Sequence, residues 1–465
     1  MGHVNFILIA GIVFLLSADT VPKSLDLNPG LTIVGTVTVA LIPALLAYIY
    51  CRWVVRYLPA SHPDRVQQSF LIKKSMIAFE ILMLVGYVCD IYFLYYPYWV
   101  SKWMGRIYFF TLHMLISILP LVIGTILIRL VSFEFDRYAE TTAMVLGDTN
   151  SGTTRRQVFK FQTKLLLLPL LPMFAYYLLF DVIEQMPTVV HQVLNRHLWV
   201  GFGLMGMIIL AAFIYAPFLL NFLWPTRPLD DSELGKRLRR LAEQNGIKYR
   251  DIVVWQTRPF NIANAAVAGL APWSRRIFLT DILLDSFSSD EIETIVAHEF
   301  GHIRYKHILT YFVFSLTYFF SYALLYVAVG HPILVAWDKS PIVSALYTIV
   351  FLLLYFVFIF RFLSRRFEYQ ADLYAVNITR RPVLFKQALY RLANMNFIPR
   401  SLRWFLEIFS THPSIERRFK FIDLACFDDP TTHRYRTYLL EAKILVILLP
   451  ILVYLTHLID LSRIN

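Results

Sequence analysis

The chain has 465 residues, of which 57% are hydrophobic, 16% aromatic and only 16% charged. Soluble domains carry nearer a quarter charged residues, so this composition excludes an ordinary soluble protein and favours a membrane protein with interfacial aromatic side chains. The net charge of +12 is better explained by basic cytoplasmic loops than by nucleic-acid binding. The three scattered cysteines, Cys51, Cys89 and Cys426, do not form a disulfide framework.

Apolar segments long enough to cross a bilayer recur along the chain. They occupy residues 31–51, 75–95, 107–130, 165–181, 199–223, 308–330, 341–363 and 438–457. A shorter apolar stretch at 4–17 either spans the membrane, anchors the chain or is cleaved as a signal peptide, and the sequence leaves this open. The prediction is a mainly α, multi-pass bundle of eight or nine spans.

The charges of the short loops predict the orientation of this bundle. Residues 52–74 carry five basic residues and residues 129–164 carry six, whereas the opposite loops and the C-terminus share six among five segments. Short basic loops stay in the cytoplasm. Because successive spans cross the membrane in opposite directions, residues 224–307 and 364–437 are both predicted to lie on the cytoplasmic side of a bacterial inner membrane or the endoplasmic reticulum.

The first cytoplasmic segment is predicted to be a small α+β unit. A helix is expected from residue 228 to 244, because Pro and Asp residues open it and a glycine follows it. A strand is expected at 251–256, and two more are expected at 262–270 and 277–280, joined around the turn residues Pro272-Trp-Ser.

An H-E-x-x-H motif follows these strands. Ser288 and Glu291 have the spacing of a capping box, so a helix is predicted to begin there. On a helix, His298 and His302 project from one side and can share a zinc ion, with Glu299 beside them as a general base for water. Two histidines alone make a weak zinc site, so a third ligand is required.

The second cytoplasmic segment offers carboxylates at the same helical spacing. Glu368 and Asp372 are four residues apart in E-Y-Q-A-D. Such a pair is usually a solvated helix face. After an H-E-x-x-H, one carboxylate can complete the zinc site and the other can orient a ligand histidine.

A family resemblance rests on these motifs together. H-E-F-G-H, two hydrophobic spans, S-R-R-F-E-Y-Q-A-D and T-H-P-S-I-E-R, preceded by N-A-A-V-A-G and R-I-F-L-T-D, resemble the integral-membrane zinc metallopeptidases. That family contains the type I CaaX prenyl proteases and the HtpX heat-shock proteases. The resemblance covers roughly residues 225–425 and implies a gluzincin-like domain inserted into the membrane bundle.

The resemblance also implies roles for individual residues. Zinc, one ion per chain, would be held by His298, His302 and Glu368, with Asp372 orienting His298. His412 would lie beside the zinc and stabilise an oxyanion. The resemblance further places Arg417 next to substrate or site carboxylates, and His307 is not expected to be a ligand.

The segment before the zinc helix is a candidate substrate-binding strand. An edge strand can bind an extended peptide by β-augmentation, and small side chains allow a second backbone to approach. A packed strand of small residues is the competing interpretation. The strand residues proposed to bind substrate are Asn264, Ala265, Ala266, Val267 and Gly269.

These predictions combine into one domain plan and two functional hypotheses. The plan assigns 1–223 to an N-terminal bundle of about six spans, 224–307 to the first catalytic part, 308–363 to two spans, 364–437 to the second catalytic part, and 438–465 to a last span. The leading hypothesis is a membrane-embedded zinc endopeptidase that acts on prenylated C-a-a-X-type proteins or on damaged membrane proteins. Its partners would be protein or peptide substrates and membrane lipid, and not nucleic acid. The alternative is a non-catalytic multi-span protein with a structural zinc, although no cysteine lies near these motifs.

Overall fold

The structure is a computed structural model, and its described residues cover most of the chain. They are 28–57, 62–143, 155–196, 198–223, 225–257, 262–325, 354–396, 398–402, 407–408, 410–427, 435, 437–448 and 451–452, together with short pieces between 336 and 351. The apolar stretch at 4–17 lies outside the described residues. Within them the protein is mostly helical, with one small sheet.

The first compact unit takes in Val4–Met205 and Trp337–Ile349, and its elements among the described residues are helices. They are α1 (Pro29–Tyr57), α2 (His62–Tyr92), α3 (Tyr96–Met104), α4 (Phe110–Ala143), α5 (Arg155–Glu184), α6 (Thr188–Arg196) and α7 (Leu198–Leu223). α1, α2 and α4 pack against one another, and α5 packs against α4.

Three of the acidic groups buried in this unit have partners that offset the cost of burial. Arg129 pairs with Glu80 at 2.9 Å, and Thr36 donates to Asp90 at 2.6 Å. Asp181 of α5 accepts the backbone N–H of Phe110 at 2.6 Å, so one helix caps the N-terminus of another.

Three of the described helices are long and apolar enough to cross a membrane: Pro29–Tyr57, Ser75–Tyr92 and Phe110–Ser132. They coincide with the predicted spans at 31–51, 75–95 and 107–130. The predicted span at 199–223 falls in α7, whose apolar part is the shorter segment Gly206–Asn221. The total of eight or nine spans, and the domain boundaries, stay predictions.

The second compact unit begins in α7 and contains a four-stranded sheet and, among the described residues, seven further α-helices. Its elements are β1 (Thr226–Pro228), α8 (Glu233–Gln244), β2 (Asp251–Trp255), β3 (Ala265–Ala268), β4 (Arg276–Thr280), α9 (Asp281–Ser286), α10 (Ser289–Arg304), α11 (His307–Leu325), a π-helical turn (Leu354–Ile359), α12 (Phe360–Thr379), α13 (Pro382–Met395) and α14 (Ile415–Cys426). Residues 437–448 are also helical.

The strand order is β1-β2-β4-β3, with β2 parallel to β4 and the outer strands antiparallel to their neighbours. Three strands therefore lie where the sequence predicts them. The predicted start of α8 is wrong, because Pro228 pairs with Val253 in the sheet. The helix begins only after Ser232, whose hydroxyl accepts the N–H of Gly235.

The apolar faces of α8, α10 and α13 enclose the core of this unit against the sheet. Ile292, Ile295, Val296 and Phe300 of α10 are buried, as the helical spacing predicts. α10 therefore lies at the centre of the unit, with the motif at its C-terminal end.

A glycine allows α10 and α12 to cross closely. A Cβ at Gly301 would lie 2.8 Å from the Cα of Ala371, closer than side-chain atoms approach a backbone. Small residues at a crossing let two helix backbones approach. This contact lies next to His302 on one helix and to Asp372 on the other, so it brings the two motifs together.

Candidate metal centre

The zinc motif sits on a helix whose start is fixed by the predicted capping box. The Ser288 N–H donates to the Glu291 carboxylate at 2.8 Å, and the Glu291 N–H donates to the Ser288 hydroxyl at 3.3 Å. The prediction of this helix start is confirmed. The capped start sets which residues of α10 face α12.

Three potential ligands converge from the two crossing helices. The Nε2 atoms of His298 and His302 lie 3.3 Å apart. One oxygen of Glu368 lies 3.5 Å from His298 Nε2, and the other lies 3.6 Å from His302 Nε2. Within the described residues this is the group of three whose donor atoms could hold a metal ion.

One donor atom from each of the three residues lies within 4.8 Å of the other two, close enough to share one ion. Zinc–nitrogen distances of about 2.0–2.1 Å place neighbouring tetrahedral ligands about 3.3–3.5 Å apart. The two imidazole nitrogens, 3.3 Å apart, have this separation. Two imidazoles and one carboxylate, with no thiolate, are the donor set of a catalytic rather than a structural zinc site.

Glu299, the neighbour of His298 on α10, is buried with these ligands. Burial raises the pKa of its carboxyl to about 7, an effect that nearby Glu368 strengthens and the positive charge of His298 opposes. A carboxylate with a pKa near neutrality can both accept and return a proton at pH 7.

Asp372 holds His298 from the side opposite its ligand nitrogen. Its carboxylate lies 2.9 Å from His298 Nδ1. Burial lowers the pKa of His298, but the hydrogen bonds to Asp372 and Glu368 outweigh it and raise that pKa to about 9. The contact fixes the ring orientation and places the second nitrogen toward the other ligands.

Asp372 is itself held by a buried arginine that the sequence analysis missed. Arg418 of α14 donates from Nε to Asp372 at 2.8 Å and from Nη2 at 2.5 Å, and its Nη1 lies 3.6 Å from Glu368. Burial would raise the pKa of Asp372, yet the Arg418 cation keeps it below its ordinary value.

His302 has a separate support. Its Nδ1 lies 2.8 Å from Nδ1 of His307, whose Nε2 lies 3.0 Å from the side-chain oxygen of Gln370. The His307 ring stacks on Phe367 with centroids 4.2 Å apart. His307 therefore contacts His302 at the ring nitrogen that faces away from His298, and the expectation that His307 is not a ligand stays a prediction.

His412 lies at the exposed rim of the site, with its Nδ1 2.9 Å from Glu368. His412 therefore lies beside one of the three potential ligands, and its role in stabilising an oxyanion stays a prediction. From spacing alone this residue reads as part of a turn.

Arg417 pairs with a carboxylate outside the group of potential metal ligands, and its predicted position next to substrate stays a prediction. Its Nε pairs with Glu407 at 3.0 Å, and Glu407 also accepts the N–H of Ser414 at 2.8 Å. Successive helix residues point about 100° apart. Among the described residues, the arginine that contacts the site carboxylates is the next one, Arg418.

The candidate substrate strand is β3, at one edge of the sheet. Ala265, Ala266 and Val267 pair with β4 on one side, and α10 packs against the strand. Asn264, exposed just before it, donates its N–H to the Thr280 hydroxyl at 2.9 Å. Gly269 ends it at φ +106°, where a Cβ would lie 2.7 Å from the Arg275 backbone, so only glycine fits there.

Comparison with known proteins agrees with the motifs. Residues 228–425 match the family model described as Peptidase family M48. The chain is 28% identical over 248 residues to CAAX prenyl protease 1 of Saccharomyces cerevisiae, covering 46% of this chain and 53% of that protein. It is 29% identical over 217 residues to Protease HtpX homolog 2 of Methanosarcina acetivorans, covering 40% and 70% respectively.

A solved structure extends the likeness beyond the matched segment. The crystal structure of S. mikatae Ste24p superposes with a TM-score of 0.53 at 18% identity, covering 90% of this chain and 99% of that one. At this identity the likeness shows a shared fold. By sequence, the chain aligns with only about half the length of the yeast protease.

Proposed function

Residues 228–425 form a Peptidase family M48 domain, and from this premise we propose that the protein is a membrane-embedded zinc metalloendopeptidase. The observation that carries the proposal is the convergence of His298, His302 and Glu368, with donor atoms within 4.8 Å of one another and with Glu299 buried beside them. The family match and the related proteases indicate a metalloprotease.

Zinc held by these three ligands would act as a Lewis acid on the peptide carbonyl and make water acidic enough to attack at neutral pH. Glu299 takes the proton of the attacking water and passes it to the leaving amine. Glu299 lies next to His298 on α10 and is buried at the site, and general-base catalysis of this kind contributes about 10²–10⁴-fold.

Two chains of contacts keep the ligand histidines in place. Asp372 accepts from Nδ1 of His298, and Arg418 keeps that carboxylate ionised. His307 fixes the ring of His302. Both imidazoles can then present their Nε2 lone pairs to one point without rearrangement.

His412 is proposed to stabilise the oxyanion formed when water attacks the carbonyl. It lies next to Glu368 and is open to solvent, so a peptide at the site would meet its ring. One such donor is worth about 3 kcal/mol. Arg417 is proposed to act indirectly, because its ion pair with Glu407 steadies the turn that carries His412.

The substrate is proposed to bind in extended form along β3, from Asn264 to Gly269. A peptide added to this edge would use the main-chain groups that β4 does not, and it would lie beside α10. The loop charges support a location on the cytoplasmic side of the membrane. Both substrate classes remain in the proposal: prenylated C-a-a-X-type proteins and damaged membrane proteins.

Replacement of the general base tests the proposal. Glu299→Gln should retain one zinc per chain yet lose peptide cleavage by at least about 10²-fold. Glu416→Gln changes a partly exposed carboxylate that is paired with Lys420, and it should keep both zinc and cleavage. Retained cleavage in Glu299→Gln would exclude this mechanism. Parallel assays with a farnesylated C-a-a-X peptide and a misfolded membrane protein distinguish the two substrate classes.

A further inference from the structure

A polar cleft beside the first strands of the sheet has no part in the proposed peptidase chemistry. It is a cleft of about 470 Å³, large enough for a small ligand. It is lined by the end of α7, by β1, and by residues of α8, β2 and β4. Four of its lining residues are arginines: Arg227, Arg239, Arg250 and Arg276.

Arg276 is the arginine whose surroundings indicate a bound ligand. Only 8% of the residue is exposed, and its Nε lies 3.3 Å from Asp251. Its guanidinium stacks over the ring of Phe218 at 4.9 Å. Among the residues that the structure describes, its buried Nη1 has no hydrogen-bond partner, and an unsatisfied buried charged donor is costly.

Positive charge exceeds negative charge at the base of the cleft. Arg250 Nε lies 3.2 Å from the same Asp251 oxygen that Arg276 contacts, and its guanidinium lies 5.1 Å from the centroid of the Phe218 ring. Two cations therefore share one carboxylate. An anionic oxygen bound here would balance the remaining positive charge and accept a hydrogen bond from Nη1 of Arg276.

The other two arginines can turn toward a ligand at little cost. Arg227 pairs with Asp230 at 3.0 Å, and Arg239 pairs with Asp231. The side chains of these aspartates are 71% and 88% exposed, and exposed ion pairs of this kind contribute little to stability. Either guanidinium can exchange its aspartate for an anion in the cleft.

The position of the cleft suggests where such an anion comes from. Asn221 lines the cleft and is the last residue of the apolar segment Gly206–Asn221. If that segment enters the membrane, its end lies at the level of the lipid headgroups, where basic pockets bind anionic lipids.

We propose that this cleft is a binding site for a phosphate-bearing anion, with Arg276 as its buried anchor. The same chemistry serves a phospholipid headgroup or free inorganic phosphate, and the position beside α7 favours the headgroup. Guanidinium groups bind phosphate oxygens through paired N–H donors, which makes arginine the preferred residue for this task.

Calorimetric titration of the full chain in a neutral detergent tests this proposal. The probes are dihexanoyl phosphatidic acid, dihexanoyl phosphatidylcholine and inorganic phosphate at equal ionic strength. We expect phosphatidic acid to bind, and Arg276→Gln to weaken that binding by about tenfold or more. Arg240→Gln, an exposed neighbour of Arg239 on α8, removes the same charge away from the cleft and should change the affinity less than twofold.

The probes also distinguish the two sources. Phosphatidic acid binding at least tenfold tighter than inorganic phosphate identifies a lipid site, and comparable affinities identify a phosphate site. Absence of binding by both, or equal losses in Arg276→Gln and Arg240→Gln, would overturn the proposal. Zinc content and thermal unfolding check that each variant folds. If Arg276→Gln does not fold, Arg227→Gln, which changes an exposed arginine of the cleft, is tested in its place.

Discussion

Replacing Asp372 by asparagine tests how much the contact between Asp372 and His298 contributes to zinc binding, because the three proposed ligands stay unchanged. The substituted amide would keep the shape of the side chain and lose the charge that lies 2.9 Å from His298 Nδ1. Loss of such an outer partner weakens metal binding about 10–100-fold, or about 1.4–2.7 kcal/mol. The metal-free protein is also destabilised, by about 3–5 kcal/mol, because Arg418 keeps its buried charge without its main partner.

Competition with a zinc chelator measures this loss in the purified full chain. Asp423→Asn is the matched control, since that carboxylate pairs with Lys386 and is half exposed, and its zinc affinity should stay within twofold of the wild type. The reasoning is refuted if folded Asp372→Asn binds zinc as tightly as the control.

The pH dependence of zinc affinity adds a second signature to the same experiment. In the wild type a proton competes with zinc for His298, whose pKa is about 9. Affinity should therefore rise about tenfold per pH unit up to that value and then level off. In Asp372→Asn the pKa of His298 falls, so the levelling should begin at lower pH.

Three further predictions concern the same helices. Without metal, the pKa of His298 is raised to about 9 in the folded protein against about 6.5 in the unfolded chain, and the resulting stabilisation is complete below pH 6.5. Between pH 7 and 9 the free energy of unfolding, measured by thermal unfolding, should therefore fall by about 1.4 kcal/mol per pH unit. Excess zinc should abolish this slope. Gly301→Ala places a Cβ 2.8 Å from the backbone of α12 and should cost about 1–3 kcal/mol and lower zinc occupancy, whereas Gly206→Ala, with its nearest atom at 3.6 Å, should leave both unchanged. Gln370→Leu removes the hydrogen-bond partner of His307, the residue that contacts His302, and should weaken zinc binding about tenfold or more in chelator competition. An unchanged affinity would show that these contacts do not position the His302 ring.

Local sequence signals predicted the parts of the fold that are governed by short-range chemistry. The capping box of Ser288 and Glu291 and the spacing of the apolar residues fixed α10, since both effects act within a few residues. The strands at 251–256 and 277–280 followed from β-branched residues between turns. Helix α8 began later than predicted because a long-range pairing, Pro228 with Val253, took the residues that would have opened it.

Side-chain partners across the chain were harder to predict. Arg417 and Arg418 are adjacent, and only the orientation of α14 decides which one faces Asp372. A signal existed, because a buried carboxylate beside a ligand histidine needs a cation, but the sequence offered several candidates. The arginine-lined cleft gave no motif at all, since its residues come from five separate elements.

X-ray absorption at the zinc edge of the purified protein tests the central claim most directly. It is predicted to show zinc bound by two imidazole nitrogens and one carboxylate from the chain, with the remaining position filled by a light atom that an added hydroxamate replaces. These ligands are His298, His302 and Glu368, so the signal should be lost in His302→Ala. A spectrum with sulfur ligands, or with four protein ligands that hydroxamate leaves unchanged, would contradict the proposed active site.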